Sequence, residues 1–269
     1  METYLVRPDG CKLFYTIDDF TDPWREPETV LFVHGLAESG EAWRAWMPHF
    51  ARHYRCVRVD LRGFGRSTPM TADFTWTMTA LIDDLAAMVA QLGGERVHLI
   101  GAKSGGSMAL KLAADHPELI RTLVGVTPPV VGPAGAADWR KYLLDHDMLE
   151  WAGMTMKGRL GTQASPAEMD WWVHNIQSRT PVSTMLGYLQ WVPGMDIRAD
   201  VENIVCPTLI INTTGSSMRP ADTYKDWQPR IRNSRLVTIE GDAWHAAGAY
   251  PDRCAQEALA FIERHAPRA

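Results

Sequence analysis

The six residues Gly101-Ala102-Lys103-Ser104-Gly105-Gly106 restrict the fold of this chain more than any other stretch. The apolar run Val97-His98-Leu99-Ile100 precedes them, and a helical stretch from Ser107 to His116 follows, ending at Pro117. Strand, glycine-rich turn and helix in immediate succession describe a sharp reversal that lifts one side chain to the top of a sheet. The glycines are required because a side chain would clash where strand and helix approach closely.

The rest of the chain repeats this alternation. Leu13-Phe14-Tyr15-Thr16-Ile17 has the β-branched and aromatic content of a strand. Val30-Leu31-Phe32-Val33 is a continuous apolar run, as expected of a strand buried on both faces of a mostly parallel sheet. Further strands are expected at 56–60, 119–126, 207–212 and 235–239. Helical spacing of Leu81, Leu85, Met88, Val89 and Leu92 predicts a helix over 79–92 that stops at Gly93-Gly94, and a last helix is expected from about Pro251 to His265. The expected fold is α/β: a doubly wound, mostly parallel sheet of about eight strands.

With 269 residues the chain is long enough to bury a substantial core. A formal net charge of −5 offers no basic stripe, so neither nucleic acid nor an anionic membrane is expected as a partner, and a small-molecule substrate is. Cys11, Cys56, Cys206 and Cys254 lack metal spacing and read as buried free thiols of a reducing compartment; no metal or organic cofactor is expected. Met1 to Gly10 shows no signal-peptide pattern and no apolar run is long enough to span a bilayer, so a cytoplasmic location is expected.

Five pieces in order, His34-Gly35, Asp60-x-Arg62-Gly63-x-Gly65-x-Ser67, the turn at 101–106, Cys206-Pro207-Thr208-Leu209 and Gly241-Asp242-Ala243-Trp244-His245, resemble the α/β-hydrolase superfamily over nearly the whole chain. The resemblance implies a core of residues 1–127 and 201–269 and a helical cap of residues 128–200, inserted after strand 6. It also implies that the turn is a nucleophile elbow, G-x-S-x-G, with Lys103 where serine belongs. Relatives have the nucleophile thirteen residues before the histidine of a helix-ending His-Pro pair, and counting back from His116 reaches Lys103. A shifted register, A-x-S-x-G, makes Ser104 the nucleophile and stays open.

By the same resemblance His245 matches the catalytic histidine, and the backbone N–H groups of Leu36 and Ser104 form an oxyanion hole. The triad acid is missing: the position nine residues after Pro207 is Ser216, and Asn212 to Ser217 holds no carboxylate. Glu38, Asp242 and Ser216 are the candidates for an orienting or acid–base group. Within the cap, tryptophans and methionines suit an apolar, adaptable pocket wall; Trp139, Trp151, Trp172 and Trp244 are the expected pocket residues.

A lysine at a helix N-terminus, partly desolvated, has a lowered pKa and can be a neutral amine near pH 7. It can then form a Schiff base with a ketone or act as a base; retained as an ammonium it would clamp a carboxylate or enolate. The expected activity is cleavage of a C–C or C–O bond, or decarboxylation, in a small apolar ketone or β-dicarbonyl compound. The alternatives are a Ser104 esterase and a ligand-binding protein without catalysis.

Overall fold

The computed structural model describes residues 3–266. Strands β1 (Thr3–Val6), β2 (Lys12–Asp18), β3 (Thr29–Val33), β4 (Arg55–Val59), β5 (Val97–Ala102), β6 (Ile120–Val126), β7 (Thr208–Thr213) and β8 (Ser234–Ile239) form one sheet. Its order is β1-β2-β4-β3-β5-β6-β7-β8. Pairing is antiparallel at β1/β2 and β2/β4 and parallel from there on. The central strands are apolar on both faces because both faces are covered: Val30 to Val33 are fully buried. β1, a short strand at the sheet's edge, has no strong signal in the sequence.

Helices α1 (Met47–Phe50), α2 (Met78–Gln91) and α3 (Lys103–Asp115) belong to the first half of the chain. The Thr77 hydroxyl accepts the Ala80 N–H at 3.1 Å and sets the start of α2, one residue ahead of the expected position. α3 begins four residues earlier than expected: β5 ends at Ala102 and the helix starts at Lys103, with no loop between them.

The interval between β6 and β7 carries α4 (Ala136–Tyr142), α5 (Met148–Leu160), α6 (Pro166–Asn175) and α7 (Val182–Trp191). An isolated antiparallel bridge, Val131↔Asp196, joins the two ends of this interval. α5 starts with a reciprocal cap, Asp147 with Glu150. After β8 come α8 (Ala246–Ala249) and α9 (Pro251–His265).

The crossover between β3, β4 and β5 places the carboxyl ends of β3 and β5 side by side, with Val33 opposite Gly101. Loops that leave adjacent parallel strands toward opposite sides open a crevice there. The loops at this crevice are His34 to Ser39 and the turn at Lys103.

Candidate active site

Lys103 has φ of 53°, a left-handed conformation that a residue with a Cβ adopts only under constraint. The constraint is close packing on both sides. A Cβ on Gly105 would overlap the His34 carbonyl, and one on Gly101 would overlap the Gly105 carbonyl. Lys103 is thus the single residue that turns the chain from β5 into α3; Ser104, one step into the helix, has no positive φ.

Lys103 and Ser104 line a cavity of about 540 Å³ of atom-free space, mouth included, together with Leu36, Arg159, Tyr188 and Arg219. Trp139, Met218 and Trp244 contribute to its apolar wall. The ammonium nitrogen of Lys103 is 3.8 Å from the Met218 thioether, its one hydrogen-bond partner among the described residues. Burial, then the nearby charges of Arg159 and Arg219, lower the Lys103 pKa from 10.5 to about 7, with Glu38 opposing. The helix N-terminus expected to do this from sequence has two arginines beside it.

Glu38 and His245 meet. His245 Nε2 lies 3.0 Å from Glu38 Oε1 and 3.1 Å from Oε2. The Gly35 N–H donates to Glu38 Oε2 at 2.9 Å, and Arg159 Nη1 donates to Oε1 at 2.9 Å. Burial alone would raise the Glu38 pKa, yet His245 and then Arg159 outweigh it and hold it at about 2. On its other side His245 Nδ1 accepts the Gly248 N–H at 2.9 Å, so the ring proton sits on Nε2 and points at Glu38. Two main-chain bonds reinforce this cluster: the N–H groups of Trp244 and His245 donate to the carbonyls of Gly158 and Arg159, each at 3.1 Å.

The expected catalytic histidine, His245, is engaged by Glu38 on one side and the Gly248 N–H on the other. Both ring nitrogens are occupied and the ring is not among the residues lining the cavity. It stands behind Glu38, which in turn holds Arg159, and Arg159 reaches the cavity. The other two acid candidates lie elsewhere. Asp242 accepts the Thr162 N–H at 3.0 Å and ties the end of α5 to the loop after β8. Ser216 is buried and its hydroxyl accepts the Arg219 N–H at 3.2 Å.

Of the expected pocket tryptophans, Trp139 and Trp244 line the cavity. Trp151 is fully buried one layer back, edge-on to Trp139 with ring centroids 5.7 Å apart. Trp172 packs edge-on to His245 at 5.5 Å and faces a separate surface depression. Counting aromatics in the interval could not tell first-layer from second-layer rings. Sequence reasoning missed Arg159, Arg219 and Tyr188; the Tyr188 hydroxyl sits beside Ser104, and burial pushes its pKa above the ordinary value.

The remaining motif residues are structural. His34 Nδ1–H donates to the Gly35 carbonyl at 2.8 Å and Nε2 accepts the Leu61 N–H at 2.9 Å, while burial lowers its pKa. The Leu36 carbonyl accepts Gln177 Nε2 at 3.3 Å, which fixes the loop that offers the Leu36 N–H. Asp60 takes the N–H groups of Gly40 and Arg66, and Arg62 forks onto Asp84 at 2.8 and 2.9 Å. The four cysteines are buried and unpaired.

A family model described as alpha/beta hydrolase fold matches residues 28–248. The chain belongs to the alpha/beta hydrolase fold family. It is an enzyme of that family by its relatives. A putative carbamate hydrolase of a Caulobacter species is 27% identical over 231 residues, 80% of this chain and 82% of that protein. Epoxide hydrolase B of Mycobacterium tuberculosis is 27% identical over 239 residues, 86% of this chain and 62% of that protein. An enol-lactonase from Burkholderia xenovorans superposes with a TM-score of 0.87 at 17% identity, covering 97% of this chain and 99% of that one. This likeness is one of fold. Among the described residues of this family member, no helix is long and apolar enough to cross a membrane.

Proposed function

We propose that this alpha/beta hydrolase-fold enzyme acts on a small apolar ketone or β-dicarbonyl compound, with the Lys103 amine as the covalent group. The observation that carries the reading is the placement of Lys103. It occupies the strained turn, faces an apolar cavity, has a thioether for its partner, and is lowered to about pH 7 by burial and two arginines. At neutral pH a large fraction of its amine is unprotonated and nucleophilic.

The Lys103 nitrogen bonds to the carbonyl carbon, and the carbonyl π electrons move to oxygen, where the N–H groups of Leu36 and Ser104 receive the charge. Loss of water gives an iminium. For a β-dicarbonyl compound, water adds to the second carbonyl and the bond between that carbon and the carbon separating the two carbonyls breaks. Its electron pair enters the iminium as an enamine while the hydrated carbonyl leaves as a carboxylic acid. Protonation at carbon and addition of a second water release the ketone and restore the amine. One water is consumed overall. The relatives named as carbamate and epoxide hydrolases support water as co-reactant.

Incubation with butyrophenone and borohydride should add mass at the peptide that contains Lys103 and at no other lysine. Labelling should be half-maximal near pH 7 and fall at lower pH, because the amine there is protonated. Labelling spread over the surface lysines, or none at Lys103, refutes the covalent reading.

A conventional esterase is tested separately. With both His245 nitrogens engaged, a serine at the turn has no free base. Lys103→Ser should therefore hydrolyse aryl esters on the order of 10⁴-fold below a working serine enzyme, since a misoriented triad histidine costs about that much. Brisk ester turnover by this variant would show that His245 can be released from Glu38.

A further inference from the structure

The charges around the cavity do not balance. Arg159 is almost wholly buried, has Glu38 as its acidic partner, and keeps its Nε without any hydrogen-bond partner. Glu38 is itself shared with His245 and the Gly35 N–H. Arg219, brought in by the segment after β7, gives Nη2 to the Val131 carbonyl at 2.6 Å and, among the described residues, pairs with no carboxylate. Burial lowers the pKa of both guanidinium groups, which means that the protein surroundings disfavour their charge. Both remain charged at neutral pH, because arginine does not deprotonate in proteins. Arg159 shares its one carboxylate with His245, and the half-buried Arg219 has none, so positive charge at the cavity is left for something outside the chain to meet.

We infer that Arg219 and Arg159 form a carboxylate-binding subsite of the cavity, so that the substrate is an apolar keto acid whose carboxylate is a recognition handle. This rests on the reading that the cavity at Lys103 is where substrate binds. Glu38 cancels one of the two guanidinium charges, which leaves one guanidinium charge beside an amine whose pKa is lowered to about 7. A carboxylate meets that guanidinium charge and leaves the neutral amine free to react. The planar forks of arginine match the two oxygens of a carboxylate. The apolar part of the wall, with Trp139, Trp244, Val192, Met195 and Met218, is suited to a hydrocarbon body.

The subsite also narrows the chemistry. A carboxylate held by guanidinium groups is stabilised in its charged form, and decarboxylation must disperse that charge into the rest of the molecule. A grip of this kind raises the barrier to losing CO2 from the group it holds. The bond that breaks then lies elsewhere in the molecule, between a carbonyl carbon and the carbon that separates it from a second carbonyl, and the carboxylate stays on the product.

The test compares two ligands with the same aryl ketone, 3-benzoylpropanoate and neutral butyrophenone, by calorimetry and by borohydride labelling. The carboxylate should tighten binding about 10- to 100-fold, the range for a hydrogen bond to a charged group. In Arg219→Met the ratio of the two affinities should collapse toward one, and Arg219→Lys should recover part of it. Equal affinity for the two ligands in the parent protein, absence of binding by both, or an unchanged ratio in Arg219→Met overturns the subsite. The two proposals separate cleanly. A carboxylate preference that persists in the parent protein and in Lys103→Met with no labelling at Lys103 removes the Schiff base and keeps the subsite. Equal labelling by both ligands keeps the Schiff base and removes the subsite.

Discussion

Glu38→Gln should cost this protein about 3–5 kcal/mol of stability, the range for breaking a buried ion pair by removing one partner. The amide keeps the shape of the side chain but leaves Arg159 without its counter-ion and offers a single acceptor oxygen. Three donors now share the carboxylate: Arg159 Nη1, His245 Nε2–H and the Gly35 N–H. In a chain of this size the loss corresponds to a fall in melting temperature of roughly 10 °C. The pH dependence has a definite sign. The folded carboxyl is held at about 2, below its usual 4.5, so its contribution is complete above about pH 4.5 and disappears as pH falls toward 2. Glu38→Gln should lack that part of the acid transition. A loss below about 1 kcal/mol, the level of an exposed pair, would mean that the cluster is not the clamp described above.

Lys103→Met should have the opposite effect on stability while ending the chemistry. Methionine is similar in length, suits the apolar wall, and carries no charge to desolvate. The folded protein binds the Lys103 proton only below about pH 7, whereas the unfolded chain holds it up to about 10.5. The unfolded state therefore binds more protons throughout that window, and parent stability rises with pH across it. Lys103→Met should be the more stable protein at pH 7, by on the order of 4 kcal/mol at most, because a tenfold change in an ionisation constant is worth about 1.4 kcal/mol. The gap should shrink as pH approaches 10.5. Thermal melts of both proteins from pH 6 to 10 measure this directly; a variant less stable than the parent at neutral pH would show that the amine is not penalised by its site. Borohydride labelling by butyrophenone should vanish in the same variant.

The framework of the fold was written in short-range signals. Apolar runs at 30–33 and 97–100 announce strands covered on both faces, and the glycines at 101 and 105 announce a turn with no room for side chains. Lys103 stood out because a charged residue breaks an otherwise small and apolar motif. Glu38 was visible as the sole carboxylate of its loop, but its partners were not, since they come from 121 and 207 positions away. Arg159 reads in sequence as an ordinary cation in the last turn of a helix, where it favours the helix end. Its burial is decided by tertiary packing against the loop after β8, which no local pattern encodes. The same limit misplaced Trp151 and Trp172: their hydrophobicity was legible, and the layer in which each would come to rest was not.

The two main-chain bonds from Gly158 and Arg159 to Trp244 and His245, together with the Arg159–Glu38 pair, fasten α5 at its carboxyl end to two loops of the sheet. A helix fastened in this way is a wall and not a door. Swinging it outward would break an ion pair and two backbone bonds at once, so this side of the cavity keeps its shape whether or not a ligand is present. The conformational entropy of that wall is given up during folding and does not have to be given up again at each encounter with substrate.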